Sequence, residues 1–201
     1  MTRSGSRMPR RAVKALVGIG LLSLALASSG GSMASPAASA DNAGPARGHC
    51  IVHIDPVLPG ETASKVSAPK CFATFKEAIA AATSGTVQLP SAATPKMLTA
   101  TMLRPESAAA QTVISIDYRD SGFGGTSLTW YVSGTAGCAA NTYSASSMPS
   151  GWNDEVSSSQ RYDSCTHNPH YENNGFGGAI YPCTCSSMGV MNDKTSSEKW
   201  S

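Results

Sequence analysis

The sequence lacks the patterns that identify common enzymes and membrane proteins. Charged residues account for 14% and aromatic residues for 6% of its 201 residues. It contains neither the G-x-S-x-G motif of a serine hydrolase nor the H-E-x-x-H motif of a zinc protease. Apart from one short apolar stretch near the N-terminus, it has no long hydrophobic run. We therefore expect a protein that is not an enzyme and that does not reside in a membrane.

The N-terminal 40 residues have the pattern of a secretory signal peptide. Five basic residues end at Lys14, an apolar run extends from Ala15 to Ala27, and Ala38-Ser39-Ala40 provides an A-x-A cleavage site. The apolar run is too short to span a bilayer comfortably. No cysteine follows it directly, which disfavours a bacterial lipid anchor. The prediction is a signal peptide at 1–40 and a secreted (extracellular) mature chain that begins at Asp41.

Little positive charge remains once residues 1–40 are set aside. That segment holds five of the fifteen Lys and Arg residues and none of the thirteen Asp and Glu residues. The remainder therefore has ten basic and thirteen acidic side chains, a net charge of −3. A nucleic acid or an anionic membrane surface is bound through a basic face, so we expect neither as a partner.

Cysteine is absent from residues 1–40, and all six cysteines lie in the exported part. An even number of cysteines in an oxidising compartment predicts disulfides. Cys50 with Cys71 and Cys138 with Cys165 is one pairing, which leaves Cys183 and Cys185, and cross-pairing among the last four is the alternative. Cys183-x-Cys185 lacks the spacing and the second ligand pair of a zinc site.

Residues 41–105 predict a small α/β segment, joined by a linker at 106–110 to the rest of the chain. The helix is indicated by a capping box, Thr74-x-x-Glu77, at its start and by Gly85 at its end. Its apolar face is predicted to contain Phe75, Ala78, Ile79 and Ala82. The predicted strands are Ile51–Ile54, Thr86–Leu89 and one within the linker-like stretch at Met97–Leu103.

Residues 111–201 contain two copies of a pair of motifs in the same order. The first motif occurs as Tyr118-Arg-Asp-Ser-Gly-Phe-Gly-Gly125 and again as Tyr171-Glu-Asn-Asn-Gly-Phe-Gly-Gly178. The second follows it as Asn153-Asp-Glu-Val-Ser-Ser158 and as Asn192-Asp-Lys-Thr-Ser-Ser197. Helical periodicity is absent here, and short apolar strands alternate with Gly- and Ser-rich turns. This predicts repeats at about 111–165 and 166–201 that form a β-sandwich of two Greek keys.

Each motif has a physical interpretation. In the first, two aromatic rings five residues apart flank a tight turn and can pack over it, and glycine permits a backbone conformation that a Cβ would obstruct. In the second, Asx and Ser side chains can hydrogen-bond to the backbone and fix a loop. The same oxygens are also ligands that a calcium ion prefers.

The two duplicated motifs resemble those of the βγ-crystallin family, over residues 111–201. The resemblance implies a mainly β, two-Greek-key sandwich with two calcium sites, in which each ion takes ligands from both loops. It implies side-chain ligands from the Asx and Ser positions, main-chain carbonyls from the third position of each loop, and one carbonyl from each hairpin. The implied residues are Asn153, Asp154, Glu155, Ser157, Asn192, Asp193, Lys194 and Ser196, with hairpin carbonyls near Asp120 and Asn173.

Two differences separate the repeats. The step from Gly125 to Asn153 is 28 residues, whereas the step from Gly178 to Asn192 is 14. Lys194 also places a positive charge beside the second loop, and it should weaken cation binding there. We therefore expect the first site to bind calcium more tightly.

Two further functions remain as alternatives under the same resemblance. Secreted bacterial metalloproteinase inhibitors and killer-toxin-like antimicrobial proteins also look like single crystallin domains. An inhibitor of an extracellular metalloprotease would use a rigid loop, for which the insertion between Trp130 and Ser150 is the candidate. The acidic charge of residues 41–201 argues against an antimicrobial role. His167-Asn-Pro-His170 is interpreted as a pair of surface turn histidines.

Overall fold

The structure, a computed structural model, describes residues 48–103, 111–182 and 184–201. The predicted signal peptide at 1–40, the linker at 106–110 and Cys183 lie outside the described residues. In the described ranges, no helix has the length and apolarity needed to cross a membrane. The elements are β1 (His49–His53), β2 (Lys70–Phe72), α1 (Phe75–Ala82), β3 (Gln111–Asp120), β4 (Gly124–Ser133), β5 (Tyr143–Ala145), β6 (Ser158–Arg161), β7 (His170–Asn173), β8 (Gly177–Tyr181) and β9 (Ser197–Trp200).

The strands form two sheets that pack face to face. The first sheet has the order β2-β1-β4-β3-β6 and the second has the order β5-β9-β7-β8. Between them lies a core in which the rings of Trp130 and Trp200 are tilted against each other, 4.8 Å between centroids. Trp152 is buried in the same core. The predicted mainly β sandwich is confirmed.

The first sheet is covered on both faces, which explains the long apolar runs in its strands. Ile114 and Trp130 face the second sheet, while Ile116 and Tyr118 belong to a separate core that includes Phe75 of α1. A strand buried on both faces needs apolar residues in succession rather than in strict alternation. The residues before position 104 thus provide the outer layer of this sheet.

The N-terminal strand extends the first sheet. β1 pairs in parallel with β4, with Cys50 opposite Leu128 and His53 opposite Tyr131. β2 pairs antiparallel with β1, and the Cys50–Cys71 disulfide joins the two strands. The predicted α/β segment and the predicted sandwich therefore share one sheet.

Helix α1 begins as its sequence predicts, and the predicted Gly85 shares its C-terminal motif with Ser84. Thr74 Oγ1 accepts from the Glu77 N–H at 3.3 Å, and Glu77 Oε2 accepts from the Thr74 N–H at 3.1 Å. At the other end, the N–H of Gly85 donates to Ala80 O and that of Ser84 donates to Ala81 O, the pattern of a Schellman motif. Ser84, rather than Gly85, occupies its left-handed position, with φ 51°.

Two predicted strands in the N-terminal segment are wrong. The stretch at Thr86–Leu89 has no strand pairing, because its backbone is bonded locally: the N–H of Thr86 donates to Thr83 O and that of Val87 donates to Thr83 Oγ1. Its apolar side chains pack against the helix instead. The stretch at Met97–Leu103 follows a short 3₁₀ helix, Pro95–Met97, and contains turns.

The two repeats differ where their lengths differ. The longer first repeat contains β5, which lies in the second sheet and pairs with β9. In the shorter second repeat, Cys185 contributes a single backbone bond to Ser159 of β6 before the 3₁₀ helix at Gly189–Met191. Cys138–Cys165 is the second predicted disulfide that the structure confirms, and Cys185 is disulfide-bonded as well.

Replacing Thr74 with alanine removes the acceptor of the capping box, and we expect the free energy of unfolding to fall by about 1 kcal/mol. Because α1 packs on the sheet that the C-terminal repeats build, this loss should lower the midpoint of a single urea transition. The exposed Thr62 is the control, and Thr62→Ala should leave the midpoint unchanged. A separate, early transition in Thr74→Ala would contradict the shared sheet.

Candidate functional site

Each repeat contains a hairpin closed by an aromatic corner. The rings of Tyr118 and Phe123 pack edge to face with 5.6 Å between centroids, and those of Tyr171 and Phe176 do so at 5.5 Å. Both phenylalanines have a positive φ, which the tight turn imposes. The predicted packing of the two aromatics over the turn is confirmed in both copies.

The last glycine of each hairpin is required by the close approach of a side chain. Gly125 has φ +70°, and a Cβ there would lie 2.7 Å from Asp120 Oδ2. Gly178 has φ +76°, and its Cβ would lie 2.8 Å from Asn173 Nδ2. A side chain at either glycine would collide with Asp120 or Asn173, the residue on the other side of the hairpin turn, and displace it.

A serine in each loop fastens that loop to the hairpin of its own repeat. Ser158 Oγ donates to Asp120 O at 2.6 Å and accepts from the Phe123 N–H at 3.0 Å. Ser197 Oγ makes the same two bonds, to Asn173 O at 2.7 Å and from the Phe176 N–H at 3.1 Å. The last serine of each Asn-Asp-x-x-Ser-Ser motif therefore positions the loop.

The preceding serines connect the two loops to each other. Ser157 Oγ donates to Asp193 Oδ1 at 2.9 Å, and Ser196 Oγ donates to Asp154 Oδ1 at 3.1 Å. The serine of each loop is thus paired with the aspartate of the other loop. We call these two contacts the crossed pairs.

Backbone hydrogen bonds also run from each loop to the other. The Asp154 N–H donates to Thr195 O at 3.0 Å, and the Asp193 N–H donates to Val156 O at 3.1 Å. Both aspartates adopt a left-handed conformation, with φ 58° and 54°. This conformation is tolerated by Asp and Asn more readily than by most residues, which accounts for the Asx at this position.

All ten predicted ligand residues lie in the two loops or at the hairpin ends next to them. Each asparagine donates from Nδ2 to Oδ2 of the aspartate that follows it, at 2.7 Å in both loops. The aspartates are exposed and the crossed serines are buried, so that each crossed pair joins a solvent-facing carboxylate to a fixed hydroxyl. Glu155 is half-buried, and the other predicted residues are exposed: Asn153, Asn192, Lys194, Asp120 and Asn173.

Two charged pairs that the sequence analysis missed flank the loops. Arg119 of the first hairpin lies 3.0 Å from Glu155, and Lys194 of the second loop lies 3.9 Å from Glu172 of the second hairpin. Arg119 also lies over the Trp152 ring. An alignment of the two repeats shows the signal. The first repeat has a basic hairpin residue and an acidic loop residue, and the second has an acidic hairpin residue and a basic loop residue.

A buried cluster of Asp117, His170 and Glu198 was also missed. The interpretation of His167 and His170 as surface turn residues is wrong for His170, which is fully buried at the start of β7, while His167 is exposed. Burial, and then the Glu198 carboxylate, raise the pKa of Asp117 well above its usual value. Burial acts to lower the pKa of His170, but Glu198 and Asp117 outweigh it and raise that pKa.

The insertion predicted to face a protease is largely internal. Tyr143 and Ala145 of β5 are buried in the core between the sheets, and Met148 lies there as well. Most of its exposed residues lie in the turn at 134–142, which the Cys138–Cys165 disulfide holds. Protease inhibition through this turn stays a prediction.

Comparisons with known proteins gave matches among solved structures. No protein-family model matches the chain, and no curated protein does. An archaeal βγ-crystallin is 22% identical with a TM-score of 0.33, over 44% of this chain and 98% of its own. A βγ-crystallin domain from Clostridium beijerinckii is 21% identical with a TM-score of 0.32, over 43% and 95%. A clostrillin double mutant in complex with nickel is 24% identical with a TM-score of 0.32, over 44% and 98%.

The geometry of the chain itself defines its fold. Two aromatic-corner hairpins, each followed by an Asn-Asp-x-x-Ser-Ser loop, occur in a two-sheet sandwich. The protein is a βγ-crystallin-like β-sandwich with a small helical segment.

Proposed function

We propose that this is a secreted protein that binds two calcium ions at the crossed pairs and that calcium stabilises its fold. The observation that carries the proposal is the reciprocal contact of Ser157 with Asp193 and of Ser196 with Asp154. Serine and aspartate oxygens, together with main-chain carbonyls, are the ligand types that calcium prefers.

The proposed first site combines Ser157 Oγ and the Glu155 carbonyl with the Asp193 carboxylate, beside the Asp120 hairpin. The second combines Ser196 Oγ and the Lys194 carbonyl with the Asp154 carboxylate, beside the Asn173 hairpin. The hydrogen bond within each crossed pair brings two oxygens together, and a cation between them would replace that bond with two ion contacts. Asn153 and Asn192 would orient the carboxylates.

An ion bound in this way would join the two repeats. Each proposed site takes its hydroxyl from one loop and its carboxylate from the other, so neither site is complete in one repeat alone. A ligand that binds only the folded state stabilises it by RT ln(1 + [L]/Kd), about 2.7 kcal/mol per site at 100 times Kd. Extracellular calcium modules commonly have a Kd of about 10⁻⁴–10⁻³ M.

The disulfides support export to an oxidising compartment. Cys50–Cys71 and Cys138–Cys165 are both formed, and such bonds persist outside the cytosol. Secretion, a signal peptide at 1–40 and release from the membrane after cleavage belong to the same proposal. An extracellular location would also give the loops access to calcium.

Calcium should raise the melting temperature, and changing one aspartate should remove one site. Asp193→Asn and Asp154→Asn keep the size and the hydrogen-bond acceptor of the side chain but remove its charge, so both variants should fold. We expect isothermal calorimetry to count two calcium ions for the original protein and one for each variant. Near saturation, each site should raise the melting temperature by roughly 5–10 °C, at about 2–4 °C per kcal/mol.

The matched control is Asp55→Asn, which alters an exposed aspartate that follows β1, outside the loops. It should bind two ions with unchanged affinity. The double variant Asp154→Asn/Asp193→Asn should melt at the same temperature with calcium as with a chelator. If calcium still stabilised the double variant, the ligand assignment would be wrong.

Reversing the charge of Lys194 should strengthen the second site. Lys194 carries a positive charge next to the carbonyl that is proposed as a ligand, whereas Glu155 is negative in the equivalent place. At roughly 8 Å in water, reversing a unit charge beside a doubly charged ion changes their interaction by about 2 kcal/mol before screening, so Lys194→Glu should lower the Kd of that site by about tenfold or more at low salt. Lys70→Glu is the control, because Lys70 lies on β2, at the edge of the first sheet opposite to β6 and the first loop. An unchanged calorimetric Kd in Lys194→Glu would contradict the placement of this site.

A further inference from the structure

The cluster of Asp117, His170 and Glu198 takes no part in the proposed calcium sites. Asp117 lies on β3 in the first sheet, while His170 and Glu198 lie on β7 and β9 in the second. None of the three side chains is exposed, and one ligand atom from each lies within 4.8 Å of the other two. The cluster therefore bridges the two sheets inside the sandwich.

One oxygen of each carboxylate accepts a hydrogen bond from a neighbouring side chain. Trp130 Nε1 donates to Asp117 Oδ2 at 2.7 Å, and Asn168 Nδ2 donates to Glu198 Oε2 at 3.2 Å. The other oxygens, Asp117 Oδ1 and Glu198 Oε1, are buried and have no hydrogen-bond partner among the described residues. Partners of this kind orient the ligands of a metal ion from behind.

The imidazole of His170 is in the same condition. Its Nδ1 lies 3.3 Å from Glu198 Oε1, yet neither ring nitrogen has a hydrogen-bond partner in the described part of the chain. Buried polar atoms are nearly always satisfied, and a group of unsatisfied ones calls for a missing ion or water. Here the atoms without a hydrogen bond are both ring nitrogens and one oxygen of each carboxylate, and of these Nδ1 and Glu198 Oε1 lie in contact as an ion pair.

A divalent cation would balance the charge of this cluster. Two buried carboxylates without compensating charge would strongly destabilise the folded state. One proton on His170 would neutralise one of them, and the other would need a second proton on Asp117, whose pKa burial raises. A doubly charged ion bound to both carboxylates and to a neutral imidazole makes the whole cluster neutral.

We propose that Asp117, His170 and Glu198 bind one divalent transition-metal ion, with Zn²⁺ as the expected species. A nitrogen ligand suits zinc and disfavours calcium or magnesium. Ligand atoms about 2.1 Å from a common tetrahedral zinc lie about 3.4 Å apart, close to the distance between His170 Nδ1 and Glu198 Oε1. Side-chain adjustment of about 1 Å closes the remaining span. Three protein ligands leave the fourth tetrahedral position to a water molecule, and the ion would connect the two sheets.

The duplicated architecture explains how such a site arises. Asp117 and His170 both precede the corner tyrosine of their repeats, and Ser159 and Glu198 both follow the two serines of the loop motif. Asp117 is paired across strands with Ser159, and His170 with Glu198. Equivalent positions in the two halves therefore meet between the sheets, and their divergence has placed complementary ligands there.

The test is to load the buried site by refolding. The protein is unfolded in urea with its disulfides intact, refolded with excess Zn²⁺ or Co²⁺ in the presence of calcium, and desalted. We expect one zinc per chain by mass spectrometry of the metal, a higher melting temperature, and a cobalt absorption spectrum typical of low-coordinate nitrogen and oxygen ligation. His170→Gln should weaken zinc binding by at least about 100-fold.

The control is His167→Gln, which alters the exposed histidine three residues earlier and should retain the zinc. His170→Gln should still bind two calcium ions, so failure of this proposal and failure of the calcium proposal give different results. Retention of stoichiometric zinc by His170→Gln would overturn the assignment. If His170→Gln does not fold, the test depends on the original protein. The proposal would be overturned if that protein refolded without bound zinc, or if cobalt added during refolding kept the spectrum of the hydrated ion.

Discussion

The exchange of hydrogen bonds between the two loops is the interaction on which the C-terminal architecture depends. Ser157 with Asp193 and Ser196 with Asp154 join segments that are far apart in the sequence. The hydrogen bonds that the Asp154 and Asp193 N–H groups donate also run from one loop to the other. Since Ser158 and Ser197 fasten each loop to its own hairpin, the crossing also fixes the two hairpins relative to each other.

The scaffold is nearly symmetric, but its chemistry is not. Hydrogen bonds of the hairpins and loops repeat to within a few tenths of an ångström in the two halves. The charges next to them are exchanged, with Arg119 and Glu155 in one half and Glu172 and Lys194 in the other. Inside the sandwich, Asp117 occupies the place that His170 has in the second repeat. Duplication preserved the backbone framework and let the functional side chains diverge.

The parts of the structure that are encoded locally were predictable. Capping of α1 by Thr74 and the aromatic corners depend on residues close together in sequence, and their motifs indicated them. Val87 and Leu89 gave rise to a wrong strand prediction, because apolar side chains indicate burial but not whether a strand has a pairing partner. The addition of β1 to the sheet also had no local signal.

Of the two candidate sites, one could be predicted from local sequence and the other could not. The loop residues were identified because their motif is duplicated. The buried cluster was missed because its members come from three strands, and only the register of the two sheets brings Asp117 to His170 and Glu198. The sequence signal for it was the presence of a possible ligand, Asp117 or His170, directly before the corner tyrosine of each repeat.

The most direct test of the account is a pair of double-mutant cycles measured by urea unfolding in saturating calcium. One cycle combines Ser157→Ala with Asp193→Asn, across the loops, and the other combines Ser157→Ala with Asp154→Asn, within one loop. The account predicts a coupling free energy of about 1 kcal/mol or more for the first pair and additivity within about 0.5 kcal/mol for the second. Additive effects in the first cycle, or stronger coupling in the second, would contradict the crossing of the loops.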